Sequence, residues 1–260
     1  MTDFINFIKT IAREAGRIAL TERRQFDDAR IYAKGTDTDL VTDVDRKIEK
    51  FLFDAIHRQY PDHGFYGEET GITRPGSEYR WVIDPIDGTI SYIHDCHFYS
   101  ISISLQRHKK NIASAVYAPK LDELFHAAKD NGAELNGRPI RVSSRPTLRT
   151  SLVSTGFACV RAKLAANNLA KFARVVPKVR AIRRTGSAAL DLCNVACGRF
   201  DGFWELHLNQ YDIAAGQLIV EEAGGLVTDL TGGDHVPAEG TVATNRLIHN
   251  DLLKLLNDGP

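Results

Sequence analysis

The chain has 260 residues, 43% of them hydrophobic and 25% charged, with 33 basic residues balancing 33 acidic ones. That is globular composition with enough apolar mass for a substantial core, in one compact unit or two fused subdomains. A net charge near zero argues against a nucleic-acid binder working by bulk electrostatics. No apolar run approaches the roughly 20 residues needed to cross a bilayer, so no membrane partner is expected.

In chain order, Phe4, Phe7, Ile8, Ile11, Ala12, Ala15, Ile18 and Ala19 form one apolar stripe, which predicts an amphipathic helix over 3–24. Its alternation is unlike the continuous apolar segment of a secretory signal. A second helix is predicted over 43–59, with Thr42 as cap and Asp45 as a short variant of the capping-box acid. "WVI", "YSISISLQ", "NIASAVYAP" and "DELFHAAK" read as strands, and "DNGAELNGRPI" carries the hairpin pair Asn-Gly twice. Beyond "SSRPTLRTS" helix and strand alternate. Helices are predicted over 161–174, 187–198 and 212–223, strands over 179–184 and 200–205 and at "GLVTDL" and "TVATN", then a short C-terminal helix. Phe203 and Trp204 alternate on a strand, which predicts one in the core and one bordering an interface. The seam falls near residue 145, dividing an α+β half (1–145) from an α/β half (146–260). Cys96, Cys159, Cys193 and Cys197 are scattered, which fits buried thiols in a reducing cytoplasm better than a zinc site.

Acidic residues gather at element ends: "DLVTDVD", "GEET", "DPIDGT" and "QYDIAAG". Each has an ordinary reading as a turn, a cap or a solvated pair. If they converge, carboxylates such as Asp84 and Asp87 repel one another unless a cation sits between them. An all-oxygen ligand set selects a hard ion, and Mg²⁺ takes a few carboxylates together with a substrate phosphate. Gly88 and Thr89 add backbone N–H groups and a hydroxyl beside the acids, which points to metal-assisted phosphate hydrolysis.

The stretches "GEET", "WVIDPIDGT", "RRTGSAALDLCNVACGRFDGFWE" and "YDIAAGQLIVEEAGG" resemble the inositol monophosphatase family, within the magnesium-dependent, lithium-sensitive phosphatase superfamily. The match runs from "KGTDTDLVTDVD" to "GLVTDLTGG". The resemblance implies a layered αβαβα sandwich with the active site between its halves. It implies Glu68, Asp84, Asp87 and Asp212 as side-chain metal ligands and the Ile86 carbonyl as a further one. Thr89 would orient the attacking water with Asp45 polarising its hydroxyl, and Glu69 would hold a water at the metals. Gly88 and Thr89 would take the phosphate through backbone N–H groups. Gly186, Ser187, Ala188 and Glu205 would lie against the substrate's alcohol part.

The implied activity is Mg²⁺-dependent hydrolysis of a small-molecule phosphate monoester, myo-inositol monophosphate, by direct in-line attack of water. Two to three Mg²⁺ ions are expected, with Mn²⁺ as a substitute, Li⁺ as an inhibitor, and a cytoplasmic homodimer as the working form. Histidinol-phosphate, fructose-1,6-bisphosphate and 3′-phosphonucleotides are the alternative substrates, and a non-catalytic partner in a larger assembly is the alternative of another class. Four positions depart from the family pattern: Ser91-Tyr92 for Asn-Phe, Tyr211 for Trp and His97 for Pro. None removes a charged ligand. Of Arg183 and Arg184, alternation on a strand lets at most one face a cleft, and Lys34 is a candidate to reach the metals from a mobile loop.

Overall fold

The computed structural model describes residues 2–27, 31–33, 40–161, 163–234, 236–237 and 239–258. Lys34 and Asp39 lie outside the described residues. Helix α1 (Thr2–Arg23) buries the expected stripe, including Ile8, Ala12, Ala15 and Ala19. A small antiparallel pair, β1 (Ile31–Ala33) and β2 (Leu40–Thr42), leads into α2 (Asp43–Gln59). Thr42 caps α2 as expected, with its backbone N–H donating to Asp45.

Strands β3 (Gly64–Gly67), β4 (Gly71–Thr73) and β5 (Tyr79–Asp87) come next, then the short helix α3 (Thr89–Ile93). They are followed by β6 (Ser100–Arg107), β7 (Lys110–Ala118), β8 (Glu123–Ala128), β9 (Ala133–Leu135) and β10 (Arg138–Ile140). The eight strands from β3 to β10 form one sheet, ordered β10-β9-β8-β7-β6-β5-β3-β4, in which only β3 and β5 run parallel.

The rest of the chain supplies β11 (Leu152–Thr155), α4 (Ala158–Arg161), α5 (Leu169–Val175), β12 (Ala181–Arg183), α6 (Ala188–Ala196) and β13 (Gly202–Leu206). It closes with α7 (Gln210–Glu222), β14 (Leu226–Thr228), β15 (Gly240–Thr244) and α8 (His249–Asn257). Its five strands make a second sheet, β12-β11-β13-β15-β14.

The layers run α1/α2, eight-stranded sheet, α6/α7, five-stranded sheet, α5/α8, which is the expected αβαβα sandwich. Strand β6 explains how the middle layer fits. Ile101, Ile103 and Leu105 face α1 and α2, while Ser100, Ser102 and Ser104 turn the other way. Those serines are small enough for α7 to pack close, and Ser102 donates to the Tyr211 carbonyl at 3.2 Å.

Two expectations are corrected. The helix expected over 161–174 is two short helices, α4 and α5, with an irregular stretch between them. Asn168 begins the second of them: it is the N-cap of α5, fully buried, and its amide donates to Thr155 Oγ1 (2.6 Å) and the Gly156 carbonyl (2.8 Å) and accepts from Trp204 Nε1 (2.6 Å). Phe203 and Trp204 are both fully buried, because β13 is covered on both faces: Phe203 meets the α6/α7 layer and Trp204 the α8 layer. The sequence reading also passed over β11, four residues long, although it pairs in parallel with both β12 and β13.

Helices α6 and α7 meet at Gly216, where a Cβ would stand 2.6 Å from Leu192 Cβ. Leu192 Cβ is fixed to its helix and cannot swing away. Gly216→Ala is therefore expected to lower stability by about 1–3 kcal/mol through overpacking, although alanine is the better helix former by about 1 kcal/mol. Urea unfolding measures it, and a more stable variant would contradict this packing.

Candidate active site

Strand β5 is buried from Trp81 to its end, where Asp84 and Asp87 are 2% and 7% exposed. Its register against β6 breaks between these two aspartates. Pro85 has no N–H to give the ladder, and such irregularities re-aim side chains at a strand's end. Asp84 Oδ1 accepts from the Ile86 N–H at 3.0 Å, which fixes the turn. Gly88 then takes φ = 92°, and a Cβ there would lie 3.0 Å from the carbonyl oxygens of both Gly186 and Phe98. Only glycine combines that backbone with that space.

Thr89 opens α3, with its hydroxyl 3.2 Å from the Ile86 carbonyl and 3.4 Å from Asp45 Oδ1. Behind it, Asp45 is buried at the start of α2, its Oδ2 accepting from the Thr42 N–H (2.8 Å) and hydroxyl (2.5 Å). Asp212 sits in the first turn of α7, and its Oδ2 accepts from the Asn209 N–H at 2.6 Å. Carboxylate oxygens of Asp84, Asp87 and Asp212 lie within 4.8 Å of one another. Residues 128 positions apart in the chain thus share one acidic centre.

Around it lies a cleft of ≈ 190 Å³ lined also by Glu68, Gly88, Thr89 and Ile86 on one side. Gly186, Ser187, Ala188 and Glu205 line the other. Ser187 caps α6 and donates to Asp87 Oδ2 at 2.5 Å, and the Ala189 N–H donates to the same oxygen at 2.7 Å. The carboxylate of Glu205 occupies the space that a Cβ on Gly156 would fill. Glu69 lies apart from this lining, beside Arg46, Glu49 and Thr70.

Electrostatics follow from burial and crowding. Asp87 is pushed up to about 6 by burial, against hydrogen bonds from Ser187 and Ala189 that favour its charged form. Asp84 and Asp212 are driven well above the usual carboxylate range by burial first, then by the neighbouring acids, Glu68 among them. Asp45 is pushed up to about 7 by burial, with Glu68 and Glu69 adding to the rise and Thr42 opposing it. Crowded carboxylate oxygens without a thiolate or imidazole among them suit a hard divalent cation.

Sequence reasoning missed Asp191. It is 2% exposed, lines the cleft, and accepts from the Thr185 hydroxyl at 2.6 Å. The available signal was an aspartate inside the apolar helix "AALDLCNVA". Arg184, and not Arg183, lines the cleft, in keeping with alternation. The Tyr92 departure also has a reason: its hydroxyl reaches the Ala19 carbonyl at 3.1 Å, a bond that Phe cannot make.

Because these acids bind protons more tightly folded than unfolded, the metal-free protein loses stability as pH rises from about 4 through about 6–7. Asp84→Asn keeps the acceptor for Ile86 and removes one repelling charge. Its metal-free melting temperature at about pH 8 is expected to rise by about 2–4 °C per kcal/mol of repulsion relieved, with the Mg²⁺-induced rise lost. Calorimetry with chelator and with Mg²⁺ tests this; an unchanged or lower metal-free value would count against the repulsion.

A family model described as "Inositol monophosphatase family" matches residues 1–259. The chain is 37% identical over 252 residues to an inositol-1-monophosphatase of Mesorhizobium japonicum, covering 96% of this chain and 94% of that one. It is 38% identical over 247 residues to the Nus factor SuhB of Pseudomonas aeruginosa, covering 93% and 91%. Among solved structures, an inositol monophosphatase from Anabaena (Nostoc) is similar with a TM-score of 0.90 at 35% identity, over 100% of this chain and 97% of that one. On sequence over its whole length, and on the αβαβα layering of its fold, the chain belongs to the inositol monophosphatase family.

Proposed function

We propose that the protein is a Mg²⁺-dependent phosphomonoesterase that hydrolyses myo-inositol monophosphate to inositol and phosphate. The observation that carries this reading is the meeting of Asp84, Asp87 and Asp212 within 4.8 Å, beside Glu68 and the Gly88–Thr89 turn. In it Glu68, Asp84, Asp87, Asp212 and the Ile86 carbonyl hold Mg²⁺. Charge toward the phosphate oxygens and a lowered water pKa are the chemistry that Mg²⁺ supplies when bound.

The chain's own residues do the rest. With its proton directed to Asp45 Oδ1, Thr89 turns an oxygen lone pair toward the cleft and orients the attacking water. The N–H groups of Gly88 and Thr89 at the start of α3 meet the phosphate oxygens. On the opposite wall Gly186, Ser187, Ala188 and Glu205 receive the alcohol part, and Glu69 backs the site through its charge on Asp45. Inhibition by Li⁺, a homodimer, a cytoplasmic location and the two halves 1–145 and 146–260 belong to the same proposal. Among the described residues no helix is long and apolar enough to cross a membrane.

Similarity to a relative named Nus factor SuhB favours a second reading, a role in a larger assembly. Mg²⁺-dependent phosphate release separates the two, because a pure assembly role needs no turnover.

Asp87→Asn can keep the Ser187 and Ala189 bonds through its amide oxygen, so the fold is expected to survive. Turnover should fall by about 100-fold or more. Near wild-type activity at ordinary Mg²⁺ would remove Asp87 from the site. Glu205→Gln separates specificity from chemistry. Loss of charge-assisted bonds to a polyol should lower kcat/KM on inositol monophosphate by about one to two decades, with little change on an aryl phosphate. Equal losses on both substrates would assign Glu205 to the metal site or the fold.

A further inference from the structure

Helix α2 carries a second buried acid one turn beyond Asp45. Glu49 is 1% exposed although it belongs to a helix whose neighbouring polar side chains, Lys47 and Lys50, reach outward. Its carboxylate is aimed at the segment that follows β3. Oε2 accepts from the Glu69 N–H at 2.9 Å, and Oε1 accepts from the Thr70 N–H at 2.6 Å and from the Thr70 hydroxyl. Three donors on consecutive residues therefore converge on one acceptor-only group.

The strand before this segment is shaped to admit it. A Cβ on Gly67 would stand 2.5 Å from Glu49 Oε2 and 2.6 Å from its carboxyl carbon. Any side chain at residue 67 displaces the carboxylate or the strand end. Gly67 and Glu49 are thus fitted to one another, and Glu68 lies directly between Gly67 and the first donor.

We infer that Glu49 is a positioning residue for the metal site: by clamping the peptide groups after Glu68 it aims the Glu68 carboxylate into the cleft. The inference rests on the proposed metal-binding role of Glu68. Glu68 shares the cleft with Asp84, Asp87 and Asp212 and raises the proton affinity of Asp84 and Asp212, so the direction of its carboxylate depends on how its own backbone is held. A clamp made to backbone N–H groups holds the segment without adding a further carboxylate to the cleft. The same helix then serves both sides of the chemistry: Asp45 accepts from Thr89, and four residues later Glu49 holds the Glu69 and Thr70 peptides that follow Glu68.

Glu49→Gln preserves shape but turns an NH₂ group toward one of the N–H donors. Partners that orient ligands typically contribute 10–100-fold to metal affinity, so the Mg²⁺ dissociation constant should rise by on the order of 10–100-fold. Titration calorimetry of the folded, metal-free protein reads this directly. The Mg²⁺ dependence of aryl-phosphate hydrolysis should shift by the same factor, with saturating Mg²⁺ recovering most of the rate. Thr70→Val removes only the hydroxyl donor and should shift the constant in the same direction by a smaller factor. Gly67→Ala, which intrudes on the carboxylate, should shift it as Glu49→Gln does.

A folded Glu49→Gln protein with wild-type Mg²⁺ affinity and only a lowered melting temperature would overturn the inference. If Glu49→Gln does not fold, unchanged affinity in both Thr70→Val and Gly67→Ala overturns it equally. A wild-type protein that binds no Mg²⁺ is a different failure: it removes the metal-site reading itself, and the inference with it.

Discussion

Repulsion between carboxylates sharing a small buried volume is the constraint around which this molecule is organised. Asp84, Asp87 and Asp212 bring their oxygens within 4.8 Å of one another, with Glu68 facing the same space. Burial drives Asp84, Asp87 and Asp212 up from the ordinary carboxylate range. Such a cluster persists only where the surrounding structure outweighs the repulsion, and a bound cation would relieve it. Metal binding and proton release are then two descriptions of one event.

What holds the cluster is close packing of the middle layer. Helices α6 and α7 lie between two sheets, so each is buried on nearly every side. The approach is short because small residues meet there: Gly216 against Leu192, and the serine face of β6 against α7. Through that packing the first turn of α7 delivers Asp212 to the end of β5. The start of α6 delivers Ser187 and the Ala189 N–H to Asp87. An error of one ångström in this layer would open the acidic centre, which is why its tolerance for added methyl groups is low.

Two different supports act on the cluster from outside. From α2, Asp45 accepts from Thr89 and Glu49 from the segment after Glu68, so both fix backbone and side chains at the edge of the cleft. From β13 and the start of α6, Glu205, Gly186, Ser187 and Ala188 form the facing wall of the cleft, which is tied to the acids where Ser187 and the Ala188 and Ala189 backbone hydrogen-bond Asp87. The wall also includes Arg184 and Asp191.

The sequence by itself determined the parts whose cause is local. Amphipathic spacing announced α1 and α2, and Thr42 with Asp45 marked where α2 begins. Alternation announced β6, and the spaced acids of "GEET", "DPIDGT" and "YDIAAG" named the residues that line the cleft, Glu69 excepted. Only the tertiary structure decided the rest. Strand β11 is too short to carry a pattern and exists because β12 and β13 flank it. The helix expected over 161–174 is two, and Asn168 at the start of the second finds its partners Thr155 and Trp204 on strands elsewhere in the chain. Glu49 on α2 and Asp191 on α6 carry no local pattern that marks them as buried acids. The partners of Glu49 come from Glu69 and Thr70, some 20 residues on, and that of Asp191 from Thr185 in the turn before α6. A single side chain reports its own propensity in the sequence, but which donors will surround it is settled only when distant segments pack together.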